Sequence, residues 1–200
     1  KEAEKKGADI IILDDGMQDY TIKKDFTILV INSAQMFGNN CIIPAGPLRE
    51  SIYSGVLKSD CIFFYGNKRQ FKRLLPFYKK NVYFPSIVVC RDTLKKLKNK
   101  KIVAFAGIAH PSNFYNTLKN NGLKLIKYYS FSDHHFYKIN EINEIINYAN
   151  SNNAAIVTTE KDYVKLSRKY QKRIEVMPIS INFNYAHFLN TIKENIYDKC

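Results

Sequence analysis

No stretch of the sequence is apolar for long enough to span a membrane as a helix. Such a helix needs roughly 20 consecutive apolar residues, and the 200-residue chain has no run that approaches this length. Its hydrophobic content of 46% is nevertheless sufficient for a packed core, which argues against a disordered chain. We therefore expect a globular protein with one large domain or two small ones.

Cysteine is scarce, and its spacing disfavours the common cysteine sites. The chain has four cysteines, Cys41, Cys61, Cys90 and Cys200, and none of them belongs to a Cys-x-x-Cys pair. Zinc sites and thioredoxin-like redox sites typically contain such pairs. Free thiols without a disulfide framework indicate a reducing compartment.

Acidic residues are outnumbered by basic ones. The chain has 31 Lys and Arg against 18 Asp and Glu, which gives a formal net charge of +13. A surplus of this kind attracts polyanions such as nucleic acid, a phosphorylated substrate or an anionic membrane face. The lysines are spread along the chain, and no block resembles a nucleic-acid-binding arm. A lysine-rich composition without a binding role explains the charge equally well.

An apolar run at 8–13 ends in two adjacent carboxylates, Asp14 and Asp15, which Gly16 follows. The run is rich in β-branched residues and predicts a buried parallel strand, so both carboxylates should lie where open α/β sheets bind ligands. Adjacent acids repel each other unless a cation compensates, and Mg²⁺ binds one or two carboxylates together with phosphate oxygens. This is the layout of a Walker B segment. An ordinary strand exit into a turn is an equal alternative.

A long irregular loop is predicted at 32–50, and such loops in compact domains are usually functional or disordered. Its core, residues 42–50, contains two prolines and one glycine and ends in Arg49 and Glu50. A stiff loop that presents Arg49 could bind a phosphate or a sugar hydroxyl, because the guanidinium offers a fork of donors. The alternative is a surface ion pair of little energetic value; we favour the functional interpretation.

Strands and helices alternate along the chain, which predicts an α/β fold with parallel sheets. The predicted strands are residues 8–13, 26–31, 61–65, 102–106, 123–129, 154–157 and 174–181. A charged run at 91–101 predicts a linker. We therefore expect a first domain at 1–90 and a second domain at 102–200.

Two polar clusters lie in the second half of the chain. In the first, Asp133 precedes His134 and His135, and a carboxylate beside an imidazole can orient it as a general base. A hydrogen-bonded loop histidine is the simpler alternative. The second cluster, residues 158–162, favours capping of a helix over anion binding.

Six motifs occur in a fixed order along the chain. They are Asp14-Asp15-Gly16-Met17-Gln18, Phe37-Gly38-Asn39, Pro44-Ala45-Gly46-Pro47-Leu48-Arg49-Glu50, Phe105-Ala106-Gly107-Ile108, Phe131-Ser132-Asp133-His134-His135 and Thr158-Thr159-Glu160-Lys161-Asp162. The series resembles the tetraacyldisaccharide 4'-kinase family of lipid A biosynthesis in Gram-negative bacteria. The run that ends in Arg49 and Glu50 is its most specific part.

The resemblance implies an enzyme that transfers the γ-phosphoryl group of ATP to the 4' hydroxyl of a tetraacylated glucosamine disaccharide 1-phosphate. It implies Mg²⁺ as a cofactor and a P-loop NTPase-like core, incomplete here, followed by a second, smaller α/β domain. It also implies a lipid-linked substrate and a peripheral position on the anionic cytoplasmic face of the bacterial inner membrane, with no nucleic-acid partner.

The resemblance also implies roles for individual residues. Asp14 and Asp15 match the acidic pair that serves the metal and the catalytic centre. Gln18, Arg49 and Glu50 match motif residues near the lipid substrate. His134 matches a histidine that the second domain contributes to the active site.

Two departures from the family pattern stand out. The Gly-x-x-x-x-Gly-Lys-Ser/Thr segment that cradles the nucleotide phosphates is absent from this sequence, and Asp19 stands where the family usually has His. We therefore expect the chain to be the carboxyl-terminal two-thirds of such a kinase, inactive without the missing amino-terminal segment. The alternatives are an inactive remnant or a module of the same fold that binds anionic lipid.

Overall fold

A computed structural model describes residues 2–197, with only the backbone for Tyr197, so Cys200 lies outside the described residues. The elements in chain order are α1 (Glu2–Lys5), β1 (Ile28–Asn32), α2 (Ile52–Lys58), β2 (Cys61–Tyr65), α3 (Lys68–Leu74), β3 (Asn81–Tyr83), β4 (Ser86–Val89), α4 (Arg91–Leu97), β5 (Lys101–Ala106), α5 (Pro111–Asn120), β6 (Lys124–Ser130), α6 (Ile139–Ser151), β7 (Ala154–Thr158), α7 (Glu160–Tyr163), α8 (Arg168–Gln171), β8 (Ile174–Val176), β9 (Ile179–Asn182) and α9 (Tyr185–Tyr197). None of the helices within residues 2–197 is long and apolar enough to cross a membrane.

The chain divides into two compact units. Unit 1 comprises Lys1–Ser86 and Asn182–Cys200, and unit 2 comprises Ile87–Ile181. Strands β4 and β9, which contain the two points of division, pair with each other as a two-stranded sheet.

Unit 1 contains a three-stranded parallel sheet in the order β1-β2-β3. The central strand β2 is buried over its first four residues, because a central strand of a parallel sheet is covered on both faces. One face carries an apolar cluster around Phe64, Phe71 and Leu75. The other carries Phe63 and Tyr83, against which Phe188 of α9 packs with ring centroids 5.2 and 5.4 Å away. Helix α9 therefore completes the unit in which the chain starts.

The run at 8–13, which the sequence predicts as a buried strand, is neither a strand nor buried. Ile10, Ile11 and Ile12 are 80%, 59% and 88% exposed, and no strand of the described residues pairs with the run. A strand requires a hydrogen-bonded neighbour, and the apolar pattern alone does not reveal whether one exists. The prediction that Asp14 and Asp15 lie at a strand end is therefore wrong for this structure.

Unit 2 contains a four-stranded sheet in the order β6-β5-β7-β8, and all its pairs are parallel. Helix α5 connects β5 to β6 at one edge of the sheet, α6 connects β6 to β7, and the chain after β7 leads to β8 at the other edge, so the connections diverge between β5 and β7. Buried residues of both helices pack on the two faces of β5, with Leu118 on one face and Ile142 and Ile145 on the other. The predicted α/β fold with parallel sheets is confirmed.

Two predicted segments differ from the structure in unit 2. The charged run at 91–101 is not an open linker: its first seven residues form helix α4, whose Leu97 is fully buried in the core of unit 2, and Lys101 begins β5. The predicted strand at 174–181 is interrupted at Pro178, which has no amide hydrogen for a ladder, and forms β8 and β9 instead. The units divide at 86/87 and 181/182, whereas the sequence places one boundary at 91–101.

Candidate functional site

The acidic pair lies in an exposed turn of unit 1. Asp14 and Asp15 are both exposed, and the backbone of Asp15 adopts a positive φ of 54°. The amide of Asp19 donates to the carbonyl of Gly16 over 3.1 Å, which closes a second turn directly after the acidic pair. An aspartate tolerates this left-handed conformation better than most residues.

Arg49 connects this turn with the proline-containing loop. Its Nη2 donates to Oδ2 of Asp15 over 2.7 Å, and its Nη1 donates to Oε1 of Gln18 over 3.5 Å. The ion pair joins residues 34 positions apart in the chain. Arg49 and Asp15 retain side-chain exposures of 53% and 69%. Both can therefore meet a ligand without dismantling buried structure.

Glu50 forms the best-connected part of the site. It accepts hydrogen bonds from Lys58 Nζ at 2.6 Å, from the Ser54 hydroxyl at 2.7 Å and from Gln18 Nε2 at 2.9 Å. Donation from Lys58, then from Ser54 and Gln18, lowers the pKa of Glu50 from 4.5 to about 2. The carboxylate is therefore charged at any physiological pH. The same contact with Glu50, followed by one with Tyr20, raises the pKa of Lys58.

The sequence analysis missed Ser54, Lys58 and Tyr20. Ser54 and Lys58 follow Glu50 by four and eight residues, which is the spacing of one helical face. This spacing was the one sequence signal that could have predicted their contact with Glu50. Tyr20 accepts a hydrogen bond from Lys58 at 2.8 Å and also lies under its ammonium group, 5.0 Å from the ring centroid. No pattern in the chain predicts that contact.

The loop that carries Arg49 and Glu50 is held by its own hydrogen bonds. The Asn39 side chain donates to the carbonyl of Ala45 at 2.8 Å and accepts from the amide of Cys41 at 3.1 Å. A Cβ at Gly46 would collide with Asn39 Oδ1 and with the carbonyl oxygen of Cys41. Any larger residue at this position would force the loop to shift.

Asp14 and Asp15 suit a divalent cation in part. Two adjacent carboxylates match what Mg²⁺ takes from a protein when phosphate oxygens and waters supply the remaining positions. Asp15 already pairs with Arg49, whereas no ion pair of the described residues includes Asp14. No group of three or more metal-ligating side chains occurs among the described residues. The pair therefore fits a cation shared with a phosphate, not a closed protein site.

His134 belongs to unit 2, whereas the other five predicted site residues belong to unit 1. It follows β6 in a turn with a φ of 58°, and its side chain is 84% exposed, with Nε2 3.9 Å from Oδ2 of Asp133. His135 is instead fixed: its Nε2 lies 2.9 Å from Oε2 of Glu141, and its ring stacks on Phe131 at 4.8 Å. His135 therefore holds the turn, and His134 presents its imidazole to solvent.

The turn of His134 adjoins the carboxyl end of β5, where the chain connections diverge. A Cβ at Gly107 would lie 3.2 Å from both the Cβ of His135 and the carbonyl oxygen of Ser132. The amide of Gly107 donates to the buried carboxylate of Asp162 over 3.0 Å. Ligands of parallel α/β sheets bind at this kind of position, which favours a ligand-facing role for His134. Thr159 caps α7 by accepting from the Asp162 amide, as the sequence predicts.

Comparison with known proteins identifies relatives over almost the whole chain. Residues 1–197 match the family described as tetraacyldisaccharide-1-P 4'-kinase. Proteins named tetraacyldisaccharide 4'-kinase are similar to this chain in Gluconobacter oxydans (32% identity, 88% of this chain, 54% of the relative), Paramagnetospirillum magneticum (32%, 97% and 60%) and Rickettsia canadensis (34%, 96% and 57%). The chain thus spans 54–60% of the length of these relatives.

A solved structure is also similar. It is the "apo" form of LpxK from Aquifex aeolicus in complex with ATP, with a TM-score of 0.61 and 21% identity over 91% of this chain and 56% of that protein. The likeness shows that the two share a fold.

Proposed function

Because the chain belongs to the tetraacyldisaccharide-1-P 4'-kinase family, we propose that it takes part in transferring the γ-phosphoryl group of ATP to the 4' hydroxyl of a tetraacylated glucosamine disaccharide 1-phosphate. In this reaction the sugar oxygen bonds to the γ-phosphorus, the bond from that phosphorus to the bridging oxygen breaks, and ADP leaves. The observation that carries the proposal is the cluster of Asp15, Gln18, Arg49 and Glu50. In this cluster Arg49 contacts Asp15 and Gln18, and Gln18 contacts Glu50.

Catalysis of phosphoryl transfer consists mainly of positioning and charge stabilisation. In our proposal Arg49 orients Asp15 and, through its remaining donors, contacts a substrate oxygen. Glu50, which stays ionised, fixes Gln18 and Lys58 and thereby shapes the sugar-binding side of the site. Asp14, outside the ion pairs of the described residues, is the carboxylate that accepts the proton of the attacking hydroxyl or binds the cation.

Magnesium bound to Asp14 and Asp15 would neutralise charge on the phosphate oxygens. His134, in the turn after β6, is in our proposal a general base or an orienting donor. We also propose that the enzyme works on the cytoplasmic face of the inner membrane. The net charge of +13 supports this location, since basic proteins are attracted to anionic lipid.

The test is a chimera in which this chain replaces the matching part of the Paramagnetospirillum magneticum relative. The chimera is incubated with Mg-ATP and the tetraacyldisaccharide 1-phosphate, and ³¹P NMR locates the new phosphate. We expect a phosphomonoester at the 4' position. A folded chimera that forms no such product, while the unmodified relative does, would support the inactive remnant instead.

A further inference from the structure

A cavity of about 430 Å³ lies in unit 1 between α3 and the strand β3 with its following residue. Its floor is apolar: Phe71, Leu75 and Tyr78 are only 6%, 1% and 7% exposed, and Val82 and Phe84 complete it. The volume is within the range of about 300–1,000 Å³ that is usual for ligand sites. None of the residues of the proposed kinase site lines it.

Three lysines surround the floor. Lys68 and Lys72 are one helical turn apart on α3, so they share a face, and Lys79 lines the cavity from beyond Pro76. All three are exposed. None of them pairs with a carboxylate in the part of the chain that the structure describes. Lys79 donates only to the carbonyl of Pro76, at 3.4 Å.

The surrounding sequence provides no acidic residue to balance these charges. Residues 61–91 contain no Asp or Glu. The same stretch adds four more basic residues to the three lysines, which are Arg69, Arg73, Lys80 and Arg91. Positive charge that the fold leaves uncompensated beside an apolar floor matches an anionic ligand with an apolar part.

We propose that this cavity, which we call the α3 cavity, binds one anionic phospholipid molecule. The phosphate contacts Lys68, Lys72 and Lys79, and the upper part of an acyl chain lies on the floor. Lysine stems pack along apolar surface while their charges stay in water, as such a ligand requires. The inference does not depend on phosphoryl transfer, because it concerns different residues and a binding equilibrium without ATP.

Two further contacts favour a lipid over a polynucleotide. Bases stack on exposed aromatic faces, but Phe71 is buried and engaged edge-on by Phe64 and Phe84, with centroids 5.4 and 6.0 Å away. The exposed rings Tyr53 and Phe77, which contact each other at 5.4 Å, do not line the cavity.

The first experiment measures co-sedimentation of the 200-residue protein with vesicles of phosphatidylcholine, with and without phosphatidylglycerol. We expect binding only to the anionic vesicles and a loss of at least about tenfold on combining Lys68→Gln, Lys72→Gln and Lys79→Gln, since each basic residue near an anionic surface contributes appreciably. The matched control combines Lys98→Gln, Lys100→Gln and Lys124→Gln, exposed lysines of unit 2. Equal losses in both variants would reduce the effect to net charge and overturn the proposal.

The second experiment separates the cavity from the charged surface. NMR of the wild-type protein follows dihexanoyl phosphatidylglycerol, a soluble lipid, and glycerol phosphate, its headgroup alone. We expect shifts at Leu75 and Val82 with the lipid and at least about tenfold weaker binding of glycerol phosphate, as expected from the burial of even two methylene groups. Equal affinities, or shifts absent from the floor, would overturn the proposal.

A variant that fills the cavity adds an independent check. Val82→Trp should abolish the binding of the soluble lipid, whereas Val82→Ala should retain it. Thermal melting verifies that both variants fold. Undiminished lipid binding by a folded Val82→Trp protein would contradict the assigned position.

Discussion

Replacement of Glu50 by glutamine should destabilise unit 1 at neutral pH and progressively less as the pH falls. Hydrogen bonds from Lys58 and Ser54, and then from Gln18, lower the pKa of Glu50 from 4.5 to about 2. At ~1.4 kcal/mol per pKa unit this sets an upper bound of roughly 3 kcal/mol. The Lys58 side chain is 42% exposed, and solvent screening of such a pair reduces the expected loss to about 1–2 kcal/mol.

The direction of the pH dependence follows from the lowered pKa. A carboxylate whose folded-state pKa is below its unfolded value stabilises the protein above the unfolded pKa, and this stabilisation disappears as the pH falls from 4.5 toward about 2. Amide hydrogen exchange of the buried strand β2 measures the free energy of opening of unit 1 separately from unit 2. The difference between wild type and Glu50→Gln should shrink over that interval.

The matched control is Asp9→Asn, which removes an exposed carboxylate of unit 1 that belongs to no ion pair among the described residues. We expect its effect to stay within about 0.5 kcal/mol. A Glu50→Gln protein as stable as wild type at neutral pH would refute the argument. So would a loss that is the same at about pH 3 as at neutral pH.

Three further predictions concern the loop, unit 2 and the thiols. Gly46→Ala should destabilise unit 1 by about 1–3 kcal/mol because its Cβ has no room, whereas Gly55→Ala, with 3.7 Å to the nearest atom, should be tolerated in urea unfolding. Asp162→Asn should destabilise unit 2 by about 1–3 kcal/mol at neutral pH and by less in acid. Burial alone would raise the pKa of Asp162, but hydrogen bonds from donors including the Gly107 amide outweigh it and lower this pKa. Hydrogen exchange at β5 measures the loss. Iodoacetamide should modify exposed Cys41 long before Cys61, whose pKa burial raises to about 12, and mass spectrometry identifies the modified residue.

The sequence predicted those elements whose determinants are local. Strand β2 lies where the residues predict it, because a continuous run of β-branched and aromatic residues acts within a few positions. The association of Arg49 with the acidic turn was expected only from the family resemblance, since nothing local specifies a contact across 34 positions.

The failures share a physical cause. The run at 8–13 has the composition of a strand, but a strand also needs a partner, which composition does not encode. Likewise, the return of α9 to unit 1 depends on long-range contacts: Phe63 and Tyr83 offer a face that Phe188 fills. Local sequence patterns do not predict which unit α9 packs against.

The catalytic role of the acidic turn is tested most directly by the kcat of the chimera after Asp14→Asn or Asp15→Asn. Asp9→Asn is the control. We predict that either change at the pair lowers kcat at least about a hundredfold, because charge stabilisation and positioning supply most of the catalysis in phosphoryl transfer, while Asp9→Asn leaves it unchanged. Folded variants at both positions with kcat within about twofold of the parent would contradict a catalytic role for the pair, since the loss of a group that stabilises the transition state lowers kcat by much more than this.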